Sequence, residues 1–415
     1  LAIFALTYVF IILFYKKTAI VWISVFLILL LRVLNPGQAF DSIDWNVILL
    51  YFGMLFVSEV FLFSKMPDYL ASIFASKAKS TAMAMVIICA FTGLLSIFLE
   101  NVAVVLLVAP IALSIAKKCQ INPVPLFIGM AVSSNLQGAA TLIGDPPSML
   151  LAGFAKMTFN DFFFINGKPG IFFAVELASL ASLFILYFLF KKYKKPMPGI
   201  TREKFISFIP TFFVIALIAS LVIGSSLKNN ISYLTGLLCV VFGVIAFIWY
   251  LFYTKAKDTK KFIGRLDWQT GIFLIGIFIL VQSLSANGIL NYVAKFILQI
   301  GGGNPFFIFM MIVWISVAIS AFVDNIPYLV AMLPVVQVIT QSLGASPYLF
   351  FFGLLIGASI GGNITPIGAS ANIVAMGIMK KEGRKIKFWE FIKIGLPFTI
   401  VSTAVASMFL WFVLG

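Results

Sequence analysis

Two stretches decide how this chain is read: residues 133–149, SSNLQGAATLIGDPPSM, and residues 357–373, GASIGGNITPIGASANI. Each lies inside a long apolar run, yet each is crowded with Gly, Pro, Ser, Thr and Asn. Gly138, Gly144, Pro146 and Pro147 cannot sustain an uninterrupted helix, and neither can Gly361, Gly362, Pro366 and Gly368. Glycine loses the most backbone entropy in a helix, and proline removes an amide donor. In hydrocarbon, unpaired backbone groups cost several kcal/mol each, so broken backbone survives only against protein or a wet cavity. Each break also exposes a helix N-terminus, which suits an anion, and freed carbonyls, which suit a cation such as sodium.

The rest of the chain supplies the hydrocarbon setting. Of 415 residues, 62% are hydrophobic and 10% charged, with a mean hydropathy of +1.11. Soluble domains carry roughly 45–50% apolar and about 25% charged residues, so the composition excludes a water-soluble fold. The absence of His excludes histidine bases, His-ligated zinc and Ser-His-Asp triads. Cys89, Cys119 and Cys239 are scattered and form no CxxC. The net charge of +15 is assigned to loops between spans rather than to nucleic-acid binding. Apolar segments fall at 1–15, 18–34, 45–63, 80–118, 124–157 and 170–192, then at 207–226, 231–253, 268–286, 304–342, 347–379 and 393–414. The opening segment lacks a small-residue cleavage site and a second span follows at once, so it reads as a span rather than a signal peptide.

Segments 80–118 and 304–342 are too long for one crossing, and each carries a polar break, Glu100-Asn101 and Asp324-Asn325. Each reads as a re-entrant hairpin with a polar tip; two ordinary spans with a tight surface turn are the alternative. Loop charges fix the sides of the membrane. With Lys16-Lys17 cytoplasmic, 24 of the 29 Lys and Arg fall inside, and Arg32, Lys156, Lys168, Lys228 and Lys295 fall outside. Both termini are then expected on the outer face of a plasma (inner) membrane.

An internal repeat supports the hairpins. An offset of 224 aligns Asn101 with Asn325, and likewise Phe98 with Phe322, Pro110 with Pro334 and Pro123 with Pro347. It also aligns Gly138 with Gly362, Thr141 with Thr365 and Gly144 with Gly368. An offset of 223 aligns Asp44-Trp45 with Asp267-Trp268 and Gly53 with Gly276. The fold expected is an all-α polytopic membrane protein of two inverted repeats, 1–192 and 207–415, joined by a cytoplasmic linker at 193–206. Each repeat has five spans, a re-entrant hairpin (80–118, 304–342) and a broken helix (124–157, 347–379). The less apolar segments 64–78 and 287–301 read as interfacial arms.

Two tips and two broken helices should converge near the midplane. Asn101, Asn135, Thr141, Asn325, Asn363, Thr365, Ser370 and Asn372 are the candidate substrate ligands, with Ser148 beside them. Glu100, Asp145 and Asp324 are acids within apolar surroundings, and an intramembrane carboxylate is a functional candidate by default. With Ser133, Gly138, Ser359 and Gly362 they form the candidate set for coupling to sodium or protons. The competing reading is that these groups only cap broken helices. Lys and Arg are absent from all four breaks, so an anion would rely on helix dipoles, amides and co-bound cations.

The tips Glu100-Asn101-Val102 and Asp324-Asn325-Ile326-Pro327, with residues 140–147 (ATLIGDPP) and 361–375 (GGNITPIGASANIVA), resemble the ion transporter superfamily. The nearest branch is the arsenite permease, P protein and citrate permease group, and the resemblance covers nearly the whole chain. It implies a homodimer in which each protomer has a scaffold domain and a transport domain moving as an elevator. Members that carry sodium and dicarboxylates have Ser-Asn-Thr at the tips; acidic tips are closer to the arsenite and sodium/proton branches.

The expected function is secondary active transport of a small inorganic or carboxylate anion or oxyanion, coupled to sodium or protons, and not an enzymatic one. A sodium/proton antiporter is the alternative. An intramembrane aspartyl protease is remote, because the acids lie at breaks rather than on intact facing helices. A passive channel is the uncoupled variant. No phosphate-binding loop occurs, so primary pumping would need a separate ATPase partner, and for the secondary transport expected an ATPase subunit is not required. No cofactor is expected beyond bound sodium ions at the broken-helix loops.

Overall fold

The computed structural model describes residues 6–7, 10, 17–196, 203–226, 233–285 and 289–415. Most of the expected span 1–15, Lys16, residues 197–202 of the expected linker, and Lys228 lie outside the described residues. Nineteen α-helices are found among the described residues, with one short β-hairpin, Phe164–Ile165 against Lys168–Pro169. The first half contains α1 (Lys17–Leu30), α2 (Pro36–Asp41), α3 (Trp45–Phe63), α4 (Met66–Ser76), α5 (Thr81–Ser96), α6 (Asn101–Cys119), α7 (Val124–Gly138), α8 (Pro146–Ala155) and α9 (Ile171–Phe190). The second half contains α10 (Ile209–Ser226), α11 (Leu234–Thr254), α12 (Thr259–Ile263), α13 (Trp268–Ser285), α14 (Ile289–Gly301) and α15 (Pro305–Ser320). It ends with α16 (Asn325–Leu343), α17 (Pro347–Gly361), α18 (Ser370–Lys381) and α19 (Phe388–Leu414). Among the described residues eight helical stretches are long and apolar enough to cross a membrane, one of them running on from α17 as far as Ile364.

Helix starts follow local chemistry. Asp44 caps α3, its Oδ1 accepting from Val47 N at 3.1 Å, and Asp267 accepts from Thr270 N at 3.1 Å at the start of α13. The Asp-Trp pairs that aligned at an offset of 223 therefore open corresponding helices. The polar interruptions also fall where expected: α5 and α15 stop at Ser96 and Ser320, and α7 and α17 stop at Gly138 and Gly361.

Helices of the two halves pack across each other. α11 crosses α3 so closely that a Cβ on Gly53 would lie 2.3 Å from the carbonyl carbon of Cys239. One on Gly236 would lie 2.6 Å from Asn46 O, and one on Gly243 would lie 2.9 Å from Gly53 O. The related pair, α13 on α1, meets at Gly276, where a Cβ would lie 2.5 Å from Val21 Cγ1. Lipid tails are as apolar as leucine, so small residues that let backbones approach are the means of association here. α9 packs on α19, α5 on α7, and α15 on α17, surrounding the two interrupted helices with apolar side chains.

Gly53→Ala should therefore cost about 1–3 kcal/mol by overpacking. Gly377→Ala, at an exposed helical position with nothing within 4 Å, should be neutral or gain up to about 1 kcal/mol. Thermal unfolding of the detergent-purified variants checks the order; equal melting temperatures would contradict the close α3–α11 crossing.

Candidate functional site

Four interruptions build the site. Glu100 and Asp324 are the N-caps of α6 and α16: Glu100 Oε2 accepts from Ala103 N at 3.0 Å and Asp324 Oδ1 from Ile326 N at 3.1 Å. Asp145 caps α8, its Oδ1 accepting from Ser148 N at 2.9 Å and from Ser148 Oγ at 2.6 Å. Its Oδ2 accepts from Ser359 Oγ at 3.5 Å, so one carboxylate joins the first-half loop to α17.

The two halves repeat the same fastenings 224 residues apart. Thr141 Oγ1 donates to Ile97 O at 2.5 Å, and Thr365 Oγ1 donates to Ala321 O. Each threonine thus pins a broken helix to the turn of its hairpin. Ser96 Oγ donates to Asn101 Oδ1 at 2.8 Å, and Ser320 Oγ meets the Asn325 amide at 2.6 Å. With its nitrogen turned to its acceptors, Asn325 also donates to Ala358 O at 3.0 Å and Gly368 O at 3.2 Å. A Cβ on Gly138 would lie 2.5 Å from Asn101 Oδ1, and one on Gly362 would lie 3.1 Å from the Asn325 side-chain amide. Only glycine lets the tips approach this closely.

Asparagines join the halves at the centre. Asn135 Nδ2 donates to Asn363 Oδ1 at 2.8 Å and to Asn372 Oδ1 at 3.0 Å. Asn101 Nδ2 reaches Asn135 Oδ1 at 3.5 Å, and Asn363 Nδ2 donates to Val132 O at 3.2 Å. Asn372 Nδ2 donates at 2.9 Å to both Gly362 O and Thr365 O. Asn135, Asn363 and Asn372 are all buried.

The structure therefore brings Asn101, Asn135, Asn363 and Asn372 into one network, with Thr141, Thr365, Gly138, Gly362 and Asn325 supporting it. Asp145, Ser148 and Ser359 form an adjoining cluster. Ser133 is buried with no partner for its hydroxyl among the described residues, while Ser370 is exposed at the first position of α18, outside the network. Sodium at the second-half loop would have to displace the Asn372 amide from two carbonyls. The first-half loop fits a cation better, with a carboxylate oxygen of Asp145 and the Gly138 carbonyl, held by Ser148 Oγ at 3.4 Å. Among the described residues no three His, Cys, Asp or Glu converge as a metal site.

A cleft of about 770 Å³ runs between α3, α4 and α6 and includes Glu100 in its wall, alone of the candidates. Glu59, Asp68, Glu203 and Asp267 line it with Glu100, against Lys65 and Arg265; Arg265 Nη1 pairs with Glu59 Oε1 at 3.2 Å. Asp68, on the short helix α4 outside the spans, is pushed up to about 6 by burial, with Lys65 opposing and Glu203 reinforcing.

Sequence reasoning missed Glu59 on α3 and Glu176 on α9, carboxylates within otherwise apolar spans. It also passed over Gln137, which donates to Glu176 Oε2 at 3.3 Å and to Ser179 Oγ at 2.8 Å. For the two glutamates the available signal was the same: a single charged side chain in a helix of hydrocarbon length.

Asn135→Ala strips the donor from two buried oxygens and should cost about 1–3 kcal/mol for each. Ser370→Ala should stay within about 0.5 kcal/mol of the wild type. Melting temperatures compare the two directly. For Asp68 the folded-state value is raised, so the stability it contributes is present at low pH. That stability falls as pH rises from the ordinary carboxylate range through about 6. Asp68→Asn should flatten that slope in melts taken at about pH 5 and about pH 8.

Comparison with known proteins assigns this architecture. The family model described as citrate transporter matches residues 8–351 and, overlapping, 291–415. An uncharacterized transporter of Mycobacterium tuberculosis is 30% identical over 404 residues, covering 95% of this chain and 93% of that one. The P protein of Homo sapiens is 25% identical over 450 residues, covering 89% of this chain and 54% of its own. Among solved structures, the Neisseria gonorrhoeae MtrF protein superposes with a TM-score of 0.58 at 15% identity, covering 94% of this chain and 85% of that one. The Alcanivorax borkumensis YdaH transporter superposes with a TM-score of 0.56 at 13% identity, covering 90% and 86%. The fold is thus that of these transporters, and the chain belongs to the citrate transporter family as a multi-pass membrane transporter.

Proposed function

We propose that the chain is a secondary active transporter of a small carboxylate or inorganic oxyanion, driven by a proton or sodium gradient. The observation that carries this reading is the Asn135 amide, which holds Asn363 and Asn372 of the other half at the junction of both broken helices. Such a junction presents helix N-termini and amides, the groups that bind an anion without a basic side chain. The tips stop in hydrocarbon as re-entrant hairpins, and the repeats insert in opposite senses. The hairpins with α7, α8, α17 and α18 move as one body against α3 and α11, in a homodimer.

The cleft gives the coupling ion its route. Its rim carries Lys65 and Arg265, which the positive-inside bias assigns to the cytoplasm, and its wall includes the Glu100 cap. Entry of a cation beside Glu100 compensates the charge of an anion bound at the asparagines. Moving the loaded body across then avoids carrying uncompensated charge through hydrocarbon.

Proteoliposomes loaded at fixed pH and sodium test this with radiolabelled citrate as the probe. Uptake against a citrate gradient should require an imposed proton or sodium gradient and should fall at least about tenfold in Asn135→Ala, a loss of about 1.4 kcal/mol of transition-state stabilisation. Citrate uptake that is unchanged by both gradients, or unaffected by the substitution, would defeat the proposal. The acid excess in the cleft favours one second reading, a sodium/proton antiporter. Sodium-driven proton movement in the absence of any anion would establish it instead.

A further inference from the structure

Glu176 lies six residues into α9, a 20-residue apolar helix, and has no ion-pair partner among the described residues. Its carboxylate has two unlike oxygens. Oε2 accepts from Gln137 Nε2 at 3.3 Å, whereas Oε1 is buried with no partner among the described residues. Gln137 is in the same position: its nitrogen serves Glu176 and Ser179, and its Oε1 is buried with no partner. One helical turn back on α7, Ser133 Oγ is a third buried oxygen without a partner. Gln137 is 5% exposed and Ser133 4%, so neither faces bulk solvent. Two acceptor oxygens with no donor, in an apolar span and without a counter-charge, are costly unless something positive or a donated hydrogen is supplied.

The fold does not require this cost. The offset of 224 places Gly357 and Gly361 of α17 where α7 has Ser133 and Gln137. The second half thus builds the corresponding broken helix without either polar side chain. α19, which follows that second broken helix, carries no carboxylate beyond Glu390 in its first turn. α5 also makes room on the first-half side: a Cβ on Gly93 would lie 2.9 Å from Gln137 Cγ and 3.2 Å from Ser133 O.

We propose that Glu176, Gln137 and Ser133 form a proton-binding site within the membrane, separate from the hairpin tips. A proton on Glu176 removes the charge from a half-buried carboxylate in an apolar span and gives its buried Oε1 a hydrogen to donate, where Gln137 next to it has an acceptor without a donor. The other titratable or charged groups on the helices packed against it are few: Cys89 on α5, and Glu390 and Lys393 near the start of α19, with Tyr187 further along α9 itself. None of them bonds to the Glu176 carboxylate among the described residues. The site is positioned to influence transport, because Gln137 directly precedes Gly138, the break against which Asn101 rests. Its coupling role rests on the transporter reading given above; its binding of a proton does not.

Two measurements on the full chain in lipid nanodiscs and proteoliposomes test the site. Infrared difference spectra taken across pH should show a protonated-carboxyl band in the wild type that is missing in Glu176→Gln. Glutamine has the shape of the neutral acid, so this variant should fold and transport citrate, with the pH dependence of uptake reduced about fivefold or more. Ser133→Ala should shift the titration of the band without removing it. The proposal fails if the band persists in Glu176→Gln, if sodium rather than pH governs it, or if the variant keeps the wild-type pH profile. Absence of anion uptake in the wild type would defeat the transporter reading, while the infrared band would still report the proton.

Discussion

A helix that stops in hydrocarbon leaves amides and carbonyls with no water to receive them. Everything at the centre of this molecule answers that constraint. Gly138 and Gly361 end two helices in the interior, and the groups they release are taken up by side chains placed for the purpose. Asp145 takes the amide of Ser148, Asn372 takes the carbonyls of Gly362 and Thr365, and Thr141 and Thr365 tie each loop to a hairpin turn. A polar network of this kind is stabilising only when every member is satisfied. The fastenings come in matched pairs 224 residues apart, while the linking Asn135 has no asparagine counterpart: the aligned position is Ser359.

Sequence could show where the backbone breaks because breaking is a local property. Pro146-Pro147 and Gly361-Gly362 each disfavour a continuous helix locally, and in this structure α8 starts at Pro146 and α17 ends at Gly361. The polar turns were legible for the same reason, although Glu100 and Asp324 stand first in the sequence as ion-coupling candidates and in this structure they cap α6 and α16. What an exposed polar group faces is not local. Asn135, Asn363 and Asn372 were expected to face a solute, and in this structure they face one another. Residue type alone does not separate an amide poised for a ligand from an amide satisfied by its neighbour.

The missed carboxylates have a different origin. Glu59 and Glu176 each sit in a run so apolar that averaged hydropathy hides them, whereas Glu100 and Asp324 stand beside Asn and draw the eye. Their partners are also remote in sequence: Arg265 is 206 residues from Glu59, and Gln137 is 39 from Glu176. The α3–α11 crossing was hidden in the same way. Gly236 and Gly243 lie seven residues apart on one helical face, but nothing near them names Gly53 as the surface they meet.

Symmetry supplies the last step. A duplicated chain begins with every interaction present twice, and structural necessity tends to keep both copies. The threonine clamps, the serine–asparagine contacts at the tips and the glycine approaches are still present twice, so they belong to the fold. Asp145 aligns with Ala369, Gln137 with Gly361 and Ser133 with Gly357. Ala369 opens α18 from the same extended backbone as Asp145 opens α8, with φ near −145° in both, yet no carboxylate is needed to do so. The polar groups held by the first half alone are those the architecture does without. On the proposed reading they are where a directional task, taking up an ion on one side and releasing it on the other, distinguishes one half of the molecule from its copy.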